Sequence, residues 1–351
     1  MKRVTIAELA SGLGLSKAAV SYAFNEPRRL SPRTVTRVMK AAEKLGYSPN
    51  PIARSMNSRR VGTIGILIPQ DISTALENPY YTEFMRGVGR VCLEENLSLT
   101  LVPPLRGSLL NSLNHSAVDG FLIMGLEPDR SEVQMLRRRA IPFVLVDTSE
   151  SDGISVVSVD DRAGAAAAMK HLLDLGHRRV SIVAIESGHG GKFGHYTGVL
   201  RERMQGYGDA LAKRGMRPGH GSVRVIEAES SREGGRRAFD KLLAGRWRPT
   251  GVAVMSDIQA FGILDGARSK GIDVPSELSV VGYDDIPEAE HANPPLSTVR
   301  QPIIEKAEAA ANLLVRAISD GPPAKGVRSV LKPVLVIRKS SAAPSRDSAK
   351  A

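Results

Sequence analysis

Residues 4–24 read VTIAELASGLGLSKAAVSYAF, and this stretch decides the fold of the amino-terminal part of the chain. Thr5 precedes an apolar-periodic run and Glu8 lies three residues later, a pattern typical of a helix that begins with a capping box. The Gly-Leu-Gly sequence at 12–14 breaks that helix. Ser16 then begins a second helix. Two short helices joined by a tight turn predict a helix-turn-helix module.

A third helix and a short hinge follow this pair. Ser31 before Pro32 is typical of a helix start, with a cap directly before a proline in the first helical position, and Gly46 ends the apolar stripe. We therefore predict a helix-turn-helix domain over residues 1–48. Residues 49–60 are predicted to be a hinge, with a helix of about one and a half turns that is too short to be stable alone.

Most of the positive charge of the chain lies in this amino-terminal segment. Residues 1–60 hold twelve Lys and Arg against three Asp and Glu, a net charge of +9, whereas all later residues contribute only +2 of the total of +11. A basic module on a near-neutral body favours a polyanionic partner, because Lys and Arg neutralise phosphates. The apolar periodicity of the segment argues against the alternative of a solvated basic tail.

From Val61 the pattern changes to apolar strands that alternate with amphipathic helices. Strands are predicted at 63–68, 97–102, 120–124, 143–146, 180–185, 223–226, 251–255 and 278–282. Helices are predicted at 80–95, 129–138, 162–175, 201–214, 231–244, 258–270 and 302–319. Such alternation implies parallel sheets with helices on both faces, and the length of residues 61–340 favours two sheets. Residues 341–351 are predicted to be a disordered tail.

Composition narrows the class of protein. The chain has 351 residues, of which 42% are hydrophobic and 24% charged, and this excludes a wholly disordered chain. No apolar stretch reaches the ~20 residues of a membrane helix, and Glu8 interrupts the apolar run that a signal peptide would need. A single cysteine, Cys92, excludes an intramolecular disulfide and favours a reducing compartment. We therefore expect a cytoplasmic protein that does not enter a membrane.

Several longer motifs occur in a fixed order along the chain. They are VTIAELA at 4–10, AAEKLGYSPN at 41–50, LGHRR at 175–179, SVVGYDDI at 279–286 and PLSTVRQ at 295–301. In this order and at these spacings they resemble the LacI/GalR (lactose-repressor) family of bacterial transcriptional regulators. The resemblance runs from Val4 to Arg338.

The resemblance implies an α/β fold with an N-terminal helix-turn-helix domain plus hinge helix, followed by two Rossmann-like α/β subdomains of periplasmic-binding-protein type around a ligand cleft. The first subdomain would comprise 61–160 plus 300–326, and the second 161–295 plus 327–340. It also implies a homodimer that binds palindromic double-stranded operator DNA, most often as a repressor. A small polar effector, with a sugar as the expected class, would control this binding.

The same resemblance assigns roles in DNA recognition. The second helix would lie in the major groove with Lys17, Ala18 and Tyr22 reading base edges. Tyr22 stands where the family often has Arg, so the operator sequence stays open. The residues expected to position the backbone of the DNA are Thr5, Ser16, Ser21, Asn25, Arg33, Thr34 and Arg54. In the hinge, Asn50, Ala53 and Met56 would face the minor groove, with Met56 as the wedge that unstacks a base step.

The ligand cleft should lie at the carboxyl ends of both sheets, where open α/β sheets bind ligands. Arg203 lies four residues before Tyr207, as the ligand-clamping Arg of the family lies before an aromatic residue. The expected ligand-binding residues are Tyr80, Tyr81, Asp147, Arg203, Tyr207, Ser256, Asp257, Asp284 and Gln301. Carboxylates accept from hydroxyls and Arg supplies donors, so the set fits a polyol or sugar. We interpret Asp160 and Asp161 as helix caps.

Two other classes of protein remain as alternatives. A periplasmic-type binding protein that does not bind DNA would have no need of the basic module, and an α/β enzyme would need a catalytic constellation. Residues 186–193 are similar to a phosphate loop, but Glu186 and Phe193 stand where that motif requires Gly and Ser or Thr. His189 and His195 lack the spacing of metal ligands. We therefore predict no enzymatic activity, no cofactor and no metal site.

Overall fold

The computed structural model describes residues 4–48, 60–148, 153–188, 190, 192 and 194–345. The chain divides into two compact units, Met1–Gly62 and Thr63–Ala351. Each unit has its own hydrophobic core.

Capping side chains set the helix boundaries of the first unit as predicted. Its helices are α1 (Ile6–Leu13), α2 (Lys17–Asn25) and α3 (Pro32–Leu45), with a 3-10 helix at Pro27–Arg29. The Glu8 amide donates to Thr5 Oγ1 at 3.3 Å, and the Thr5 amide donates to Glu8 Oε2 at 2.8 Å, so the capping box is confirmed. Ser16 Oγ accepts from the Ala19 amide at 3.0 Å. Gly46 ends α3 with a φ of 63°, a left-handed conformation that glycine adopts without steric cost.

The core of the first unit takes one large aliphatic side chain from each helix. Leu9, Val20 and Val38 are completely buried, and removing such a side chain from water stabilises a fold by roughly 1.5–3 kcal/mol. The Phe24 ring packs on the Tyr47 ring at a centroid distance of 5.7 Å. The predicted helix-turn-helix is confirmed.

The second unit alternates strands and helices. The strands are β1 (Thr63–Leu67), β2 (Ser98–Val102), β3 (Gly120–Met124), β4 (Phe143–Val146), β5 (Val156–Val159), β6 (Val180–Ile185), β7 (Val223–Ala228), β8 (Gly251–Val254), β9 (Ser279–Asp284), β10 (Ser297–Arg300), β11 (Arg328–Leu331) and β12 (Val334–Val336). The helices are α4 (Ile72–Glu77), α5 (Pro79–Glu94), α6 (Leu109–His115), α7 (Ser131–Arg138), α8 (Asp161–Asp174), α9 (Gly198–Ala212), α10 (Arg232–Leu243), α11 (Asp257–Ser269), α12 (Glu288–His291) and α13 (Ile303–Asp320). Every strand and helix predicted between residues 61 and 340 is present, within three residues at each end.

The strands form two sheets, as predicted. The first has the order β11-β5-β4-β3-β1-β2 and is parallel throughout. The second has the order β12-β10-β9-β8-β6-β7, and only β12 runs antiparallel to its neighbour. Every residue of β3, β5 and β8 is buried. Continuous burial of this kind is typical of parallel strands covered by helices on both faces.

The chain passes between the two sheets three times, and the predicted positions of two crossings are wrong. β10 pairs with β9 in the second sheet, so the chain leaves that sheet only after Arg300. The return to the second sheet was predicted at residue 327. Instead, β11 pairs with β5 in the first sheet, and the chain returns to the second sheet between Leu331 and Val334. β11 and β12 are edge strands of four and three residues, and both are partly exposed. Only their hydrogen-bond partners decide which sheet each of them joins.

The predicted disordered tail is wrong in its first residues. The Ala342 amide donates to Ser279 Oγ at 3.0 Å, and the Ala342 carbonyl oxygen lies 3.0 Å from His177 Nε2. Ser341 Oγ lies 2.9 Å from His171 Nε2. A segment rich in Ser and Ala carries no hydrophobic signal, yet polar atoms of the second sheet and of α8 bind it. Residues 346–351 lie outside the described part of the chain.

Candidate functional site

A cavity of about 150 Å³ lies where the carboxyl ends of the two sheets meet. Asp147 directly follows β4, Asp284 ends β9, and Ser256 lies two residues after β8. Parallel strands bring such residues to one edge, which is the expected ligand position in this architecture. The cavity is lined by Pro69, Gln70, Asn78, Tyr80, Tyr81, Met124, Gly125, Asp147, Ile185, Val199, Leu200, Arg203, Ser230, Ser256, Asp284 and Gln301.

One wall of the cavity is built around a buried ion pair. The Lys306 ammonium on α13 donates to both carboxylate oxygens of Asp147, at 2.7 and 2.8 Å, and to the Tyr80 hydroxyl at 2.9 Å. The Tyr80 hydroxyl in turn donates to Asp147. The Lys306 side chain is completely buried, whereas the Asp147 side chain is 15% exposed. Asp147 therefore faces the cavity, and Lys306 lies behind it.

Gln301 joins this wall to the second sheet. Its Oε1 accepts from the Lys306 ammonium at 2.9 Å, and its Nε2 donates to Asp284. Gln301 is on the crossing segment that leads from β10 into α13. A continuous polar network thus runs from Tyr80 on one side of the cavity to Asp284 on the other.

A second ion pair lies at the base of the cavity. Arg203 Nε on α9 donates to Asp161 Oδ1 on α8 at 2.7 Å, and another guanidinium nitrogen donates to the Met255 carbonyl. The Arg203 and Asp161 side chains are 8% and 3% exposed. The guanidinium lies 3.7 Å from the centre of the Tyr283 ring. These contacts fix the orientation of Arg203, and its other terminal nitrogen lies 4.0 Å from Asp284.

Asp284 is held in an environment that favours its protonated form. Burial raises the pKa of its carboxyl to about 6, although Arg203, the Gln301 amide and Lys306 oppose this rise. Its φ is 121° and that of Asp285 is 56°, both unusual for residues other than glycine. Backbone strain of this kind costs of order 1–3 kcal/mol per residue and is found most often at functional sites.

Seven of the nine residues predicted for the cleft line this cavity: Tyr80, Tyr81, Asp147, Arg203, Ser256, Asp284 and Gln301. Tyr207 does not, because it is completely buried in the core beside Arg203 on α9. Asp257 does not either. Its carboxylate accepts from the Thr298 hydroxyl and from the Ile286 amide at 3.1 Å, so it ties α11 to the second sheet.

Sequence reasoning missed Lys306, the hub of the first wall, because a lysine on an otherwise apolar helix face gives no sign of the carboxylate opposite it. It also missed Asp161, interpreted as a cap only. Asp160 is the residue that caps α8, with its carboxylate accepting from the Ala163 amide at 2.9 Å. Gln70 and Asn78 flank the short helix α4, which the periodicity did not predict.

The first unit presents one face of α2 to solvent. Lys17 and Ala18 are exposed, and Tyr22 is half-buried with the Arg29 guanidinium 4.9 Å above its ring. Asn25 Nδ2 donates to Ser21 Oγ at 3.2 Å, and Thr34 Oγ1 lies 2.9 Å from Ser31 Oγ. The predicted hinge residues Asn50, Ala53, Arg54 and Met56 lie outside the described residues.

The described part of the chain contains neither a metal-binding cluster nor a membrane-spanning helix. No group of three or more His, Cys, Asp or Glu side chains there is arranged to hold a metal ion. The helices within the described ranges include none that is long and apolar enough to cross a membrane.

A helix-turn-helix unit, followed by two parallel sheets with a polar cavity at their carboxyl ends, defines a class: DNA-binding regulators that carry a periplasmic-binding-protein-like domain. Two family models match in agreement with this. Residues 5–50 match the bacterial regulatory proteins of the lacI family, and residues 169–341 match the periplasmic binding protein-like domain.

Relatives of known class align over nearly the whole chain. It is 32% identical to a helix-turn-helix-type transcriptional regulator of Mycolicibacterium smegmatis, over 98% of both chains. It is 31% identical to the ribose operon repressor of Escherichia coli K12, over 96% of this chain and 99% of that one. The chain belongs to the LacI family of bacterial transcriptional regulators, as its sequence motifs predicted. This membership sets aside the alternative of a binding protein without a DNA-binding domain.

Solved structures show the same fold. The complex of the transcriptional regulator CelR with cellobiose has a TM-score of 0.70 and 29% identity, covering 96% of this chain and 100% of that one. The lac repressor dimer bound to operator and the anti-inducer ONPF has a TM-score of 0.80 at 22% identity, covering 97% of this chain and 100% of that one. The second likeness concerns the fold alone.

Proposed function

We propose that this LacI-family regulator binds palindromic operator DNA as a homodimer, and that a small polyhydroxylated molecule of the sugar class controls this binding from the cavity. The observation that carries the ligand class is the lining of the cavity. Two carboxylates, one oriented guanidinium and two tyrosine rings converge there. Carboxylates accept from hydroxyls, a guanidinium donates to ring and hydroxyl oxygens, and aromatic faces cover the apolar side of a sugar ring.

The relatives support this class of effector. The CelR structure contains cellobiose, and a LacI-family regulator of Enterococcus faecium, 28% identical, contains ribose. The proposed effector of this chain occupies the cavity at the carboxyl ends of the two sheets. We propose that Tyr80, Tyr81, Asp147, Arg203, Ser256, Asp284 and Gln301 contact it.

The DNA-binding role rests on α2 and on the charge of its unit. Lys17 and Ala18 are exposed at the first turn of α2, where base contacts arise in helix-turn-helix proteins. Tyr22 is the third proposed reading residue. Thr5, Ser16, Ser21, Asn25, Arg33, Thr34 and Arg54 are proposed to position the phosphates, with Asn50, Ala53 and Met56 in the minor groove.

We further infer a regulator that performs no catalysis and acts in the cytoplasm. Family membership supports the first inference, and the need to reach chromosomal DNA supports the second. A repressor is the sign of regulation that we expect.

The test uses the full chain and a fluorescent duplex taken from the region upstream of its own gene. Anisotropy should show saturable binding that Lys17→Ala weakens, while Arg178→Ala, in the second unit, leaves it unchanged. D-ribose and cellobiose are then added in parallel, and one of them should change the DNA affinity. If Lys17→Ala bound the duplex as tightly as Arg178→Ala and wild type, the assignment of α2 as the DNA-reading helix would be contradicted. Absence of any heat of binding with a panel of neutral sugars would contradict the proposed ligand class.

A further inference from the structure

Lys306 is a charged side chain where the fold calls for an apolar one. The neighbours that share its buried face of α13 are Ile303, Ala307, Ala310 and Leu314, and Lys306 itself is completely buried. Lysine is almost never fully buried unless it is paired, because removing an ammonium from water costs several kcal/mol. A leucine or methionine would fill this position at a lower cost. The ammonium is therefore expected to have a role that an apolar side chain could not take.

The surroundings of the ammonium form a complete binding site for a primary amine. Four oxygen atoms lie within 2.9 Å of Nζ: both from the Asp147 carboxylate, the Tyr80 hydroxyl and Gln301 Oε1. An ammonium has three N–H donors, so these oxygens satisfy it fully. The Tyr80 ring adds a cation–π contact at 5.1 Å.

This site opens on the effector cavity. Asp147, Tyr80 and Gln301 all line the cavity, whereas Lys306 reaches them from the protein side. We propose that Lys306 is a specificity-determining residue: a tethered ammonium that fills the amine site of the cavity from within, and so excludes effectors that carry an amine. This inference rests on the proposed function, because it concerns the effector of the same cavity.

The charges around the cavity explain what remains for the effector. Lys306 is paired with Asp147, and Arg203 is paired with Asp161. Each cation is thus already matched by a carboxylate, and the effector need supply no charge to either. An effector with an ammonium group would have to compete with Lys306, which is covalently held at the site and has a high effective concentration there. The hydroxyls of a neutral sugar can donate to the cavity-facing oxygens of Asp147, Tyr80 and Gln301 without displacing the Lys306 ammonium.

The first test does not depend on the identity of the effector. Lys306→Ala deletes Cγ, Cδ, Cε and Nζ, the atoms of n-propylammonium, and n-propanol is the neutral molecule of similar shape. We expect n-propylammonium to raise the Tm of this variant well above the effect of n-propanol, since a ligand that binds only the folded state stabilises it. Wild type and Lys170→Ala, which removes an exposed lysine from an ion pair on α8, should respond to both compounds alike.

The double variant Lys306→Ala/Asp147→Asn locates the effect. It retains the cavity but lacks the carboxylate, so the difference between the amine and the alcohol should disappear. If Lys306→Ala does not fold alone, the same comparison is made on refolding yield with each compound present. Equal rescue by amine and alcohol would overturn the proposal, because Lys306 would then be a space-filling residue only.

The second test measures selectivity by calorimetry with D-glucose and D-glucosamine. Lys306→Ala removes the tethered ammonium and leaves its site open to the ammonium of D-glucosamine. The ratio of affinities should shift toward D-glucosamine by about tenfold or more, the size of coupling between close charge pairs, and Asp147→Asn in the same chain should abolish the shift. An unchanged ratio would overturn the proposal. If wild type and variants bind neither compound, the effector is not a glucose-like sugar, and the rescue by n-propylammonium decides the role of Lys306.

Discussion

The ion pair between Arg203 and Asp161 allows the sharpest prediction for stability. Arg203→Ala removes the guanidinium and leaves the Asp161 carboxylate, only 3% exposed, without its partner. Breaking a buried pair in this way costs about 3–5 kcal/mol, because an uncompensated charge stays in the interior. The same variant also frees the Met255 carbonyl from its hydrogen bond and removes the contact with the Tyr283 ring. We therefore expect a loss at the upper end of this range.

The molecule supplies a matched control. Arg162 on α8 and Asp209 on α9 link the same two helices, with the arginine now on α8 and the aspartate on α9. The nitrogen and oxygen of this pair are 2.7 Å apart. Their side chains are 51% and 44% exposed, so water screens the pair. Arg162→Ala should change the free energy of unfolding little or not at all.

Urea denaturation followed by Trp247 fluorescence measures both variants. Trp247 is the only tryptophan of the chain and belongs to the second unit, so the signal reports the unit that contains the ion pair. A third variant, Arg203→Met/Asp161→Asn, removes both charges and should recover more than half of the loss caused by Arg203→Ala, since replacing both partners of a buried pair is often neutral. If the double variant were as unstable as the single one, the uncompensated charge would not be the cause. If Arg203→Ala and Arg162→Ala lowered the free energy of unfolding equally, the burial of the Arg203–Asp161 pair would have no energetic consequence.

Three further predictions concern other parts of the molecule. Burial raises the pKa of Asp284 from 3.8 in the unfolded chain to about 6 in the folded protein. The contribution of Asp284 to the free energy of unfolding is therefore fully present below pH 3.8 and is lost as the pH rises through about 6. Between about pH 4 and pH 7, wild type should thus lose up to roughly 3 kcal/mol relative to Asp284→Asn, and parallel stability curves would refute this. A plot of log operator affinity against log salt concentration should have a slope near −0.9 per phosphate neutralised. Lys17→Ala should leave this slope unchanged if Lys17 contacts a base, and a shallower slope would show that Lys17 contacts a phosphate. On α5, Gly87→Ala would place a methyl 2.6 Å from the Ile304 carbonyl oxygen and should destabilise the packing of α5 on α13. Gly89→Ala meets nothing within 4 Å and should be neutral or stabilising by up to about 1 kcal/mol; the reverse order in urea denaturation would contradict the packing.

Much of the candidate cavity was predictable because its residues follow buried strands. Asp147 and Asp284 end continuous apolar runs, and parallel topology alone brings such positions to one edge of a sheet. The two predicted residues that fall outside the cavity show the limit of this argument. Tyr207 lies one helical turn from Arg203 on α9 and points into the core. Asp257, on the helix that follows β8, binds Thr298 on β10, which is separated from β8 by β9 in the sheet. Strand position predicts an edge, but the direction of a side chain on the following helix depends on packing.

The sequence by itself determined the elements whose signal is local. Caps, breakers and hydrophobic period fix the three helices of the first unit, because each signal acts within about one helical turn. The same local patterns fix the long buried strands and the helices between them. The order of motifs fixed the family.

Only the tertiary structure decided which distant residues meet. β11 joins the first sheet and β12 the second, although only two residues of chain separate their nearest ends, because backbone hydrogen bonds to β5 and β10 decide the pairing. Lys306 lies 159 residues after Asp147, and Arg203 lies 42 residues after Asp161. The free energy of a buried charge depends on a partner within about 4 Å, and no pattern along one segment specifies what lies at that distance across the fold.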